Sequence, residues 1–253
     1  MVEGKSVAGY LSITLRHQEL TADAYGRRLW QYREVPERWK PTEVALVLCD
    51  VWDRHWCPTA EARLAALLPH MAELVRTLRE RGVLIMHAPS ETMDFYADSQ
   101  ARQRALNAPP VQPPPLQHRE DPPLPVSSIG GGCDVGHYTP AKVWTRQHPA
   151  ITLDEDRDVV SDQGVEHLAV YAQRNIQHVL LMGVHTNMCI LNRSFAIKQL
   201  VRWGISVALV RDLTDAMYDP ALPPYVSHAQ GTELVIGYIE KFWCPTVARE
   251  SLL

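Results

Sequence analysis

The segment Gly183-Val184-His185-Thr186-Asn187-Met188-Cys189 follows a continuous apolar run and leads into a helical pattern. A cysteine at such a strand-to-helix turn meets the positive end of the helix, which lowers a thiol pKa and favours the thiolate that acyl transfer needs. The competing reading is a small buried hydrophobe, the ordinary fate of a free cysteine. Polar residues also end the other apolar runs. Asp50 follows residues 44–49, His87 follows 83–86, Arg146 follows 143–145 and Asp212 follows 205–210. In an open parallel sheet such positions converge beyond the carboxyl ends of the strands. A carboxylate, an imidazole and a cation are therefore expected around Cys189. A thiol activated in this way should label with iodoacetamide below the normal thiol pKa and faster than the other cysteines.

The elements that would carry these residues follow from periodicity. Residues 44–49 and 83–86 are unbroken apolar runs suited to strands buried on both faces. Between them Leu64, Leu67, Leu68, Met71, Leu74, Val75 and Leu78 repeat at three- and four-residue steps, with Pro58 as a start signal and Gly82 as a stop. Residues 143–145, 179–182 and 205–210 read as further strands, and 165–173 and 190–203 as helices. Leu234, Val235, Tyr238, Ile239 and Phe242 form the stripe of a last helix. This alternation predicts an α/β three-layer sandwich, Rossmann-like, with a mostly parallel sheet covered by helices on both faces. Residues 1–40, where Leu11, Ile13 and Leu15 alternate with polar side chains, read as an N-terminal arm, and 41–253 as one domain. Residues 109–125 are proline-rich, the composition of a long functional or disordered loop.

Composition narrows the function. The chain has 253 residues, 46% hydrophobic and 21% charged, with a formal net charge of −4. Nothing supplies the basic field that a nucleic-acid backbone requires. No run approaches the ~18 apolar residues of a membrane span, and residues 1–17 lack a signal-peptide pattern, so no membrane partner and a cytoplasmic location are expected. The five cysteines, Cys49, Cys57, Cys133, Cys189 and Cys244, contain no C-x-x-C pair. That spacing argues against a disulfide framework and a structural zinc site.

The pairing of Ala45-Leu46-Val47-Leu48-Cys49-Asp50 with the turn ending at Cys189 resembles the isochorismatase-like cysteine hydrolases, which include nicotinamidases and N-carbamoylsarcosine amidohydrolases. The likeness runs from about residue 44 to the last helix. It implies a catalytic aspartate at Asp50, a nucleophile at Cys189, and a cis peptide at Val184–His185 that turns the backbone N–H groups of His185 and Cys189 into an oxyanion hole. The family's lysine falls at Arg146, which would act as a fixed charge within reach of Asp50, while Lys142 reads as a surface residue. Trp52, His87, Phe95, Trp144 and Asn187 are the expected substrate-binding residues, favouring a flat or apolar substrate. Asp212 takes a structural role. The metal-binding D-x-H pattern of nicotinamidases is absent after the second strand; Asp53-Arg54-His55 has that spacing, but no metal and no cofactor are expected. The resemblance implies a homo-oligomeric hydrolase that cleaves a small amide, ureide or related C–N bond through a thioester. The alternatives are a vinyl-ether-cleaving member of the same fold and a non-enzymatic binding module.

Overall fold

In the computed structural model, which describes residues 9–136 and 138–253, six parallel strands and an antiparallel hairpin form one eight-stranded sheet. The hairpin, β1 (Leu11–Ala22) and β2 (Arg28–Trp39), joins the sheet through two residue pairs between β1 and the last strand. Residues 11–39 thus extend the sheet of the main domain. β3 (Val44–Cys49) is buried at every position, as its unbroken apolar run requires. The crossover helix α1 (Pro58–Glu80) places Leu64, Leu68, Met71, Leu74, Val75 and Leu78 against one face of the sheet. Its stop is Gly82, whose φ of 92° lies in the left-handed region that glycine occupies without steric cost.

β4 (Leu84–Ala88) follows, then a short α2 (Gln100–Leu106). The third strand on this side is β5 (Val159–Val160), not residues 143–145, which run as extended chain with one isolated bridge, Trp52 to Gln147. Of these three residues, Trp144 lines a pocket. α3 (Gly164–Arg174) and β6 (His178–Val184) match the sequence expectation. The expected single helix over 190–203 is two short ones, α4 (Cys189–Asn192) and α5 (Ile197–Arg202), with Arg193 extended between them. β7 (Ser206–Asp215) runs three residues beyond Asp212 through a register irregularity against β6. Asp212 accepts the Arg249 backbone N–H at 2.8 Å, the structural role assigned to it. α6 (His228–Phe242), started by a Ser227–Gln230 capping box, and β8 (Thr246–Val247) complete the chain.

The proline-rich segment 109–125 forms no regular element and packs outside α5 and α6. There Asp121 accepts from Lys198 Nζ at 2.8 Å and from the Tyr238 hydroxyl at 2.9 Å. The strand order β2-β1-β8-β7-β6-β3-β4-β5 has its switch point between β3 and β6, where the chain leaves in opposite directions. Doubly wound sheets bind ligands at such points because the loops there diverge and leave a crevice. The backbones approach closely: a Cβ on Gly183 would lie 2.0 Å from the Cys49 carbonyl oxygen, so only glycine fits.

Candidate active site

Asp50 and Cys189 leave β3 and β6 on either side of the switch point and meet. Asp50 is fully buried, its carboxylate accepts the Ser90 backbone N–H at 2.8 Å and the Arg193 Nε–H at 2.8 Å, and the Cys189 thiol is close enough for their charges to interact. Burial raises the Asp50 pKa, and Arg193 opposes that shift. The Cys189 thiol is pushed well up from its ordinary value, first by burial and then by the Asp50 charge. The expected low-pKa thiolate is therefore not the resting form. α4 has only four residues, too few to build a substantial helix dipole, and the neighbouring carboxylate dominates. Burial and the neighbouring carboxylate both favour the neutral thiol over the thiolate.

Arg146, expected as the cation of this pair, lies elsewhere. It is exposed, its guanidinium stands 5.3 Å over the Phe95 ring, and its backbone N–H donates to Asp53 Oδ1 at 3.3 Å. The reason is the absence of a strand at 143–145, which leaves Arg146 on the outer side of a loop. Arg193 takes the position beside Asp50 instead. Its side chain is 29% exposed, its pKa is raised by the Asp50 charge despite the opposing effect of burial, and it faces Trp52 at 5.9 Å. Periodicity conceals this residue, because an arginine in a pattern that reads as one helix gives no signal of a break.

The Val184–His185 peptide is cis. His185 lines the same pocket as Cys189. Cys189 opens α4, so its own N–H has no intrahelical acceptor. Thr186 is buried, its hydroxyl 2.7 Å from that of Thr214. Asn187 is an internal brace, with Nδ2 donating to the Met217 carbonyl at 2.8 Å and Oδ1 accepting the Met217 N–H at 2.9 Å, so it does not line the pocket as expected.

Above the thiol lies a pocket of about 400 Å³. One flank is the Trp52–Trp144 stack, with ring centroids 4.0 Å apart and planes 12° from parallel. Another carries His55 and His185, edge to face at 4.9 Å. Burial holds both imidazoles below their usual pKa, His185 at about 3. Lys142, expected as a surface lysine, lines the rim and donates to the Glu91 carbonyl at 2.6 Å. Phe95 is 55% exposed and lies outside this pocket, because residues 93–96 turn its ring outward.

His87 lies beneath the pocket rather than in it, only 1% exposed. Its Nδ1 accepts from the Gln147 side-chain amide, which places the proton on Nε2, 2.9 Å from Asp158 Oδ2. Arg79 completes this buried group with Nε 2.9 Å from Asp158. Gln147 in turn forms the bridge to Trp52, so the network steadies the aromatic flank. Asp53 accepts from the backbone N–H and hydroxyl of Thr145, and His55 Nδ1 accepts the Cys57 N–H, so the Asp53-x-His55 spacing does not meet His87 in a ligand set.

Cys57 and Cys133 form a disulfide across 76 residues, with Cα atoms 5.8 Å apart. This corrects the expectation drawn from cysteine spacing, since so distant a pair leaves no local pattern. The bridge ties the start of α1 to residues 129–134, and Gly131 there lines the pocket. Among the described residues the one cluster with metal-ligand geometry is Cys57, Cys133 and Asp134, which includes this disulfide. No helix among the described residues is long and apolar enough to cross a membrane.

No family model matches the sequence, and no curated protein sequence matches it. Solved structures do. A cysteine hydrolase from Pseudomonas syringae pv. phaseolicola 1448A is 15% identical, with a TM-score of 0.52, over 85% of this chain and 93% of that one. An isochorismatase-like hydrolase from Alkaliphilus metalliredigens is 13% identical, with a TM-score of 0.48, over 83% of this chain and 94% of that one. The chain has the α/β fold of the cysteine hydrolases that its sequence resembles.

Proposed function

We propose that the protein is a cysteine-dependent hydrolase that cleaves a small amide, ureide or related C–N bond through a thioester on Cys189. The observation that carries this reading is the meeting of Cys189, Asp50 and Arg193 at the sheet's switch point, under an aromatic pocket.

In this mechanism the substrate carbonyl sits over the sulfur. As sulfur attacks carbon, the thiol proton passes to Asp50, so charge is not separated far in a buried site. The oxygen takes the electron pair of the C=O bond and is held by the backbone N–H groups of His185 and Cys189, a contribution worth on the order of 100-fold in rate per donor. Asp50 then gives its proton to the departing nitrogen as the C–N bond breaks, leaving a thioester. Water attacks the thioester, giving its proton to Asp50, and the carboxylic acid product leaves as the proton returns to the sulfur.

Arg193 keeps Asp50 ionised in a site whose burial would otherwise protonate it, and as a guanidinium it remains charged throughout. The Trp52–Trp144 stack suits a flat or apolar body on the substrate. The test is release of ammonia or amine from a panel of small amides and ureides. Turnover that vanishes in Cys189→Ala supports the reading, and turnover that persists in that variant refutes it.

A further inference from the structure

We propose that the free edge of β2 is a self-association site, and that its occupant is the same edge of a second copy of the chain, running antiparallel about a two-fold axis at Gln31.

β2 ends the sheet and pairs only with β1, so among the described residues no strand takes the backbone groups on its other side. A strand edge of this kind is a template for another strand unless something blunts it. Pro36 lacks an N–H and interrupts the edge late, leaving residues 28–35 before it. In that stretch every residue is exposed except the half-buried Gln31. On the face towards α6, Trp30 is 38% and Tyr32 60% exposed, and Trp30 stands edge-on to Phe242 at 5.6 Å. Leu20, opposite Trp30 on β1, and Phe242 extend this apolar surface.

Charge selects both the occupant and the register. Residues opposite one another in an antiparallel pair share a face, so the two-fold axis must pass through a residue and its own copy. With the axis at Gln31, Arg28 meets Glu34 and Trp30 meets Tyr32, each twice. Moving the axis to Tyr32 sets Trp30 against Glu34 and Arg28 against Pro36. At Arg33 two guanidinium groups meet, and at Glu34 two carboxylates. The charges that the Gln31 register pairs are also the ones left over: neither Arg28 nor Glu34 has an ion-pair partner within the chain among the described residues. Arg33, which this register sets against Leu29, is already held by Glu19 at 3.1 Å. Charges on a strand edge ordinarily keep copies apart, and here their order makes the copies attract. A short strand pair with flanking aromatic side chains lies near the low end of specific interfaces, about 1,000 Å², so the dimer is expected to be reversible. β2 contributes no residue to the Cys189 pocket, so the proposal does not depend on the hydrolase reading.

Sedimentation velocity of the full chain over a concentration series tests it, and the parent should show a monomer–dimer equilibrium. Arg28→Glu and Glu34→Arg each set like charges opposite one another and are expected to weaken dimerisation about tenfold or more, and combining them should restore it. Gln31→Cys, at the axis, should form a covalent dimer on mild oxidation, while Glu37→Cys, on the same edge but beyond the register, should not. A parent that stays monomeric at every concentration, a dimer indifferent to the single reversals, or a double variant no tighter than either single one overturns the proposal. Cross-linking through Glu37→Cys in place of Gln31→Cys overturns it too. Should a charge reversal disturb the hairpin, as read by circular dichroism, the two cysteine variants decide alone.

Discussion

Arg193 Nε donates to Asp50 Oδ2 across 2.8 Å, so a residue four positions after Cys189 supplies the cation for a carboxylate delivered by a different strand. The thiol and the cation thus travel on one turn. Asp50, 0% exposed, has no other cation within salt-bridge distance among the described residues.

Removing that cation leaves a buried carboxylate unpaired, the costly arrangement for a charge in a low-dielectric site. Arg193→Ala is expected to lower kcat/KM by 100-fold or more. Arg193→Lys recovers part of it, since a point charge replaces the forked guanidinium. Arg146→Ala, on an exposed loop, is expected to stay within about threefold of the parent. Kinetics of the three variants on one substrate check this, and a larger loss at Arg146 would contradict the assignment.

The acid limb of activity reports Asp50. Activity requires its ionised form, and burial raises its pKa above the ordinary 3.8. Activity should therefore begin to fall, as pH is lowered, at a higher pH than a solvent carboxylate would dictate. The thiol behaves oppositely to an activated cysteine. Its pKa is raised, so iodoacetamide labelling of Cys189 at neutral pH should be slower than that of free cysteine and should accelerate only above pH 9. Rapid labelling at pH 6 would show a thiolate that this geometry does not support.

Two buried imidazoles give the fold an acid weakness. His167 and His185 have folded pKa values of about 4 and about 3, below the 6.5 of an unfolded histidine. As pH falls below 6.5 the unfolded chain takes up protons that the folded one does not, so stability drops, by about 2 kcal/mol per residue at pH 5. The loss continues until the folded pKa is passed. Chemical denaturation at pH 7 and pH 5 measures it. His167→Gln should shrink the difference by roughly one residue's share, and an unchanged difference would contradict the neutral assignment.

The Cys57–Cys133 disulfide closes a long loop, and reducing it is expected to cost about 4 kcal/mol of stability by loop entropy. The melting temperature should fall by several degrees in dithiothreitol and in Cys57→Ser, with no further fall when the two are combined. Insensitivity to reductant would show that the pair is not bridged in solution. The same measurement bears on the cytoplasmic location expected from the sequence, because a reducing compartment would open the bridge.

Much of this arrangement is legible in the amino-acid sequence. The stripe of α1 and the unbroken runs of β3 and β6 are strong periodic signals, with Asp50 standing out as the polar end of an apolar strand and Cys189 at a strand-to-helix turn. What is not legible depends on tertiary contact. β5 is two residues long and its pairing with β4 defines it, while residues 143–145 have strand composition but form no strand, with Trp144 lining the pocket instead. Arg193 sits at a helix break without proline or glycine to mark it. His87 ends a strand as a catalytic residue would, yet its partner Asp158 draws it beneath the sheet's rim.

The proposed mechanism requires a covalent bond between Cys189 and substrate. Intact-protein mass spectrometry on samples quenched in acid during turnover of an active amide tests it most directly. The expected result is an added mass equal to the acyl group, located on the peptide carrying Cys189, absent in Cys189→Ala and removed by hydroxylamine. Turnover at full rate with no acyl mass on Cys189, or with the mass on another residue, would contradict it.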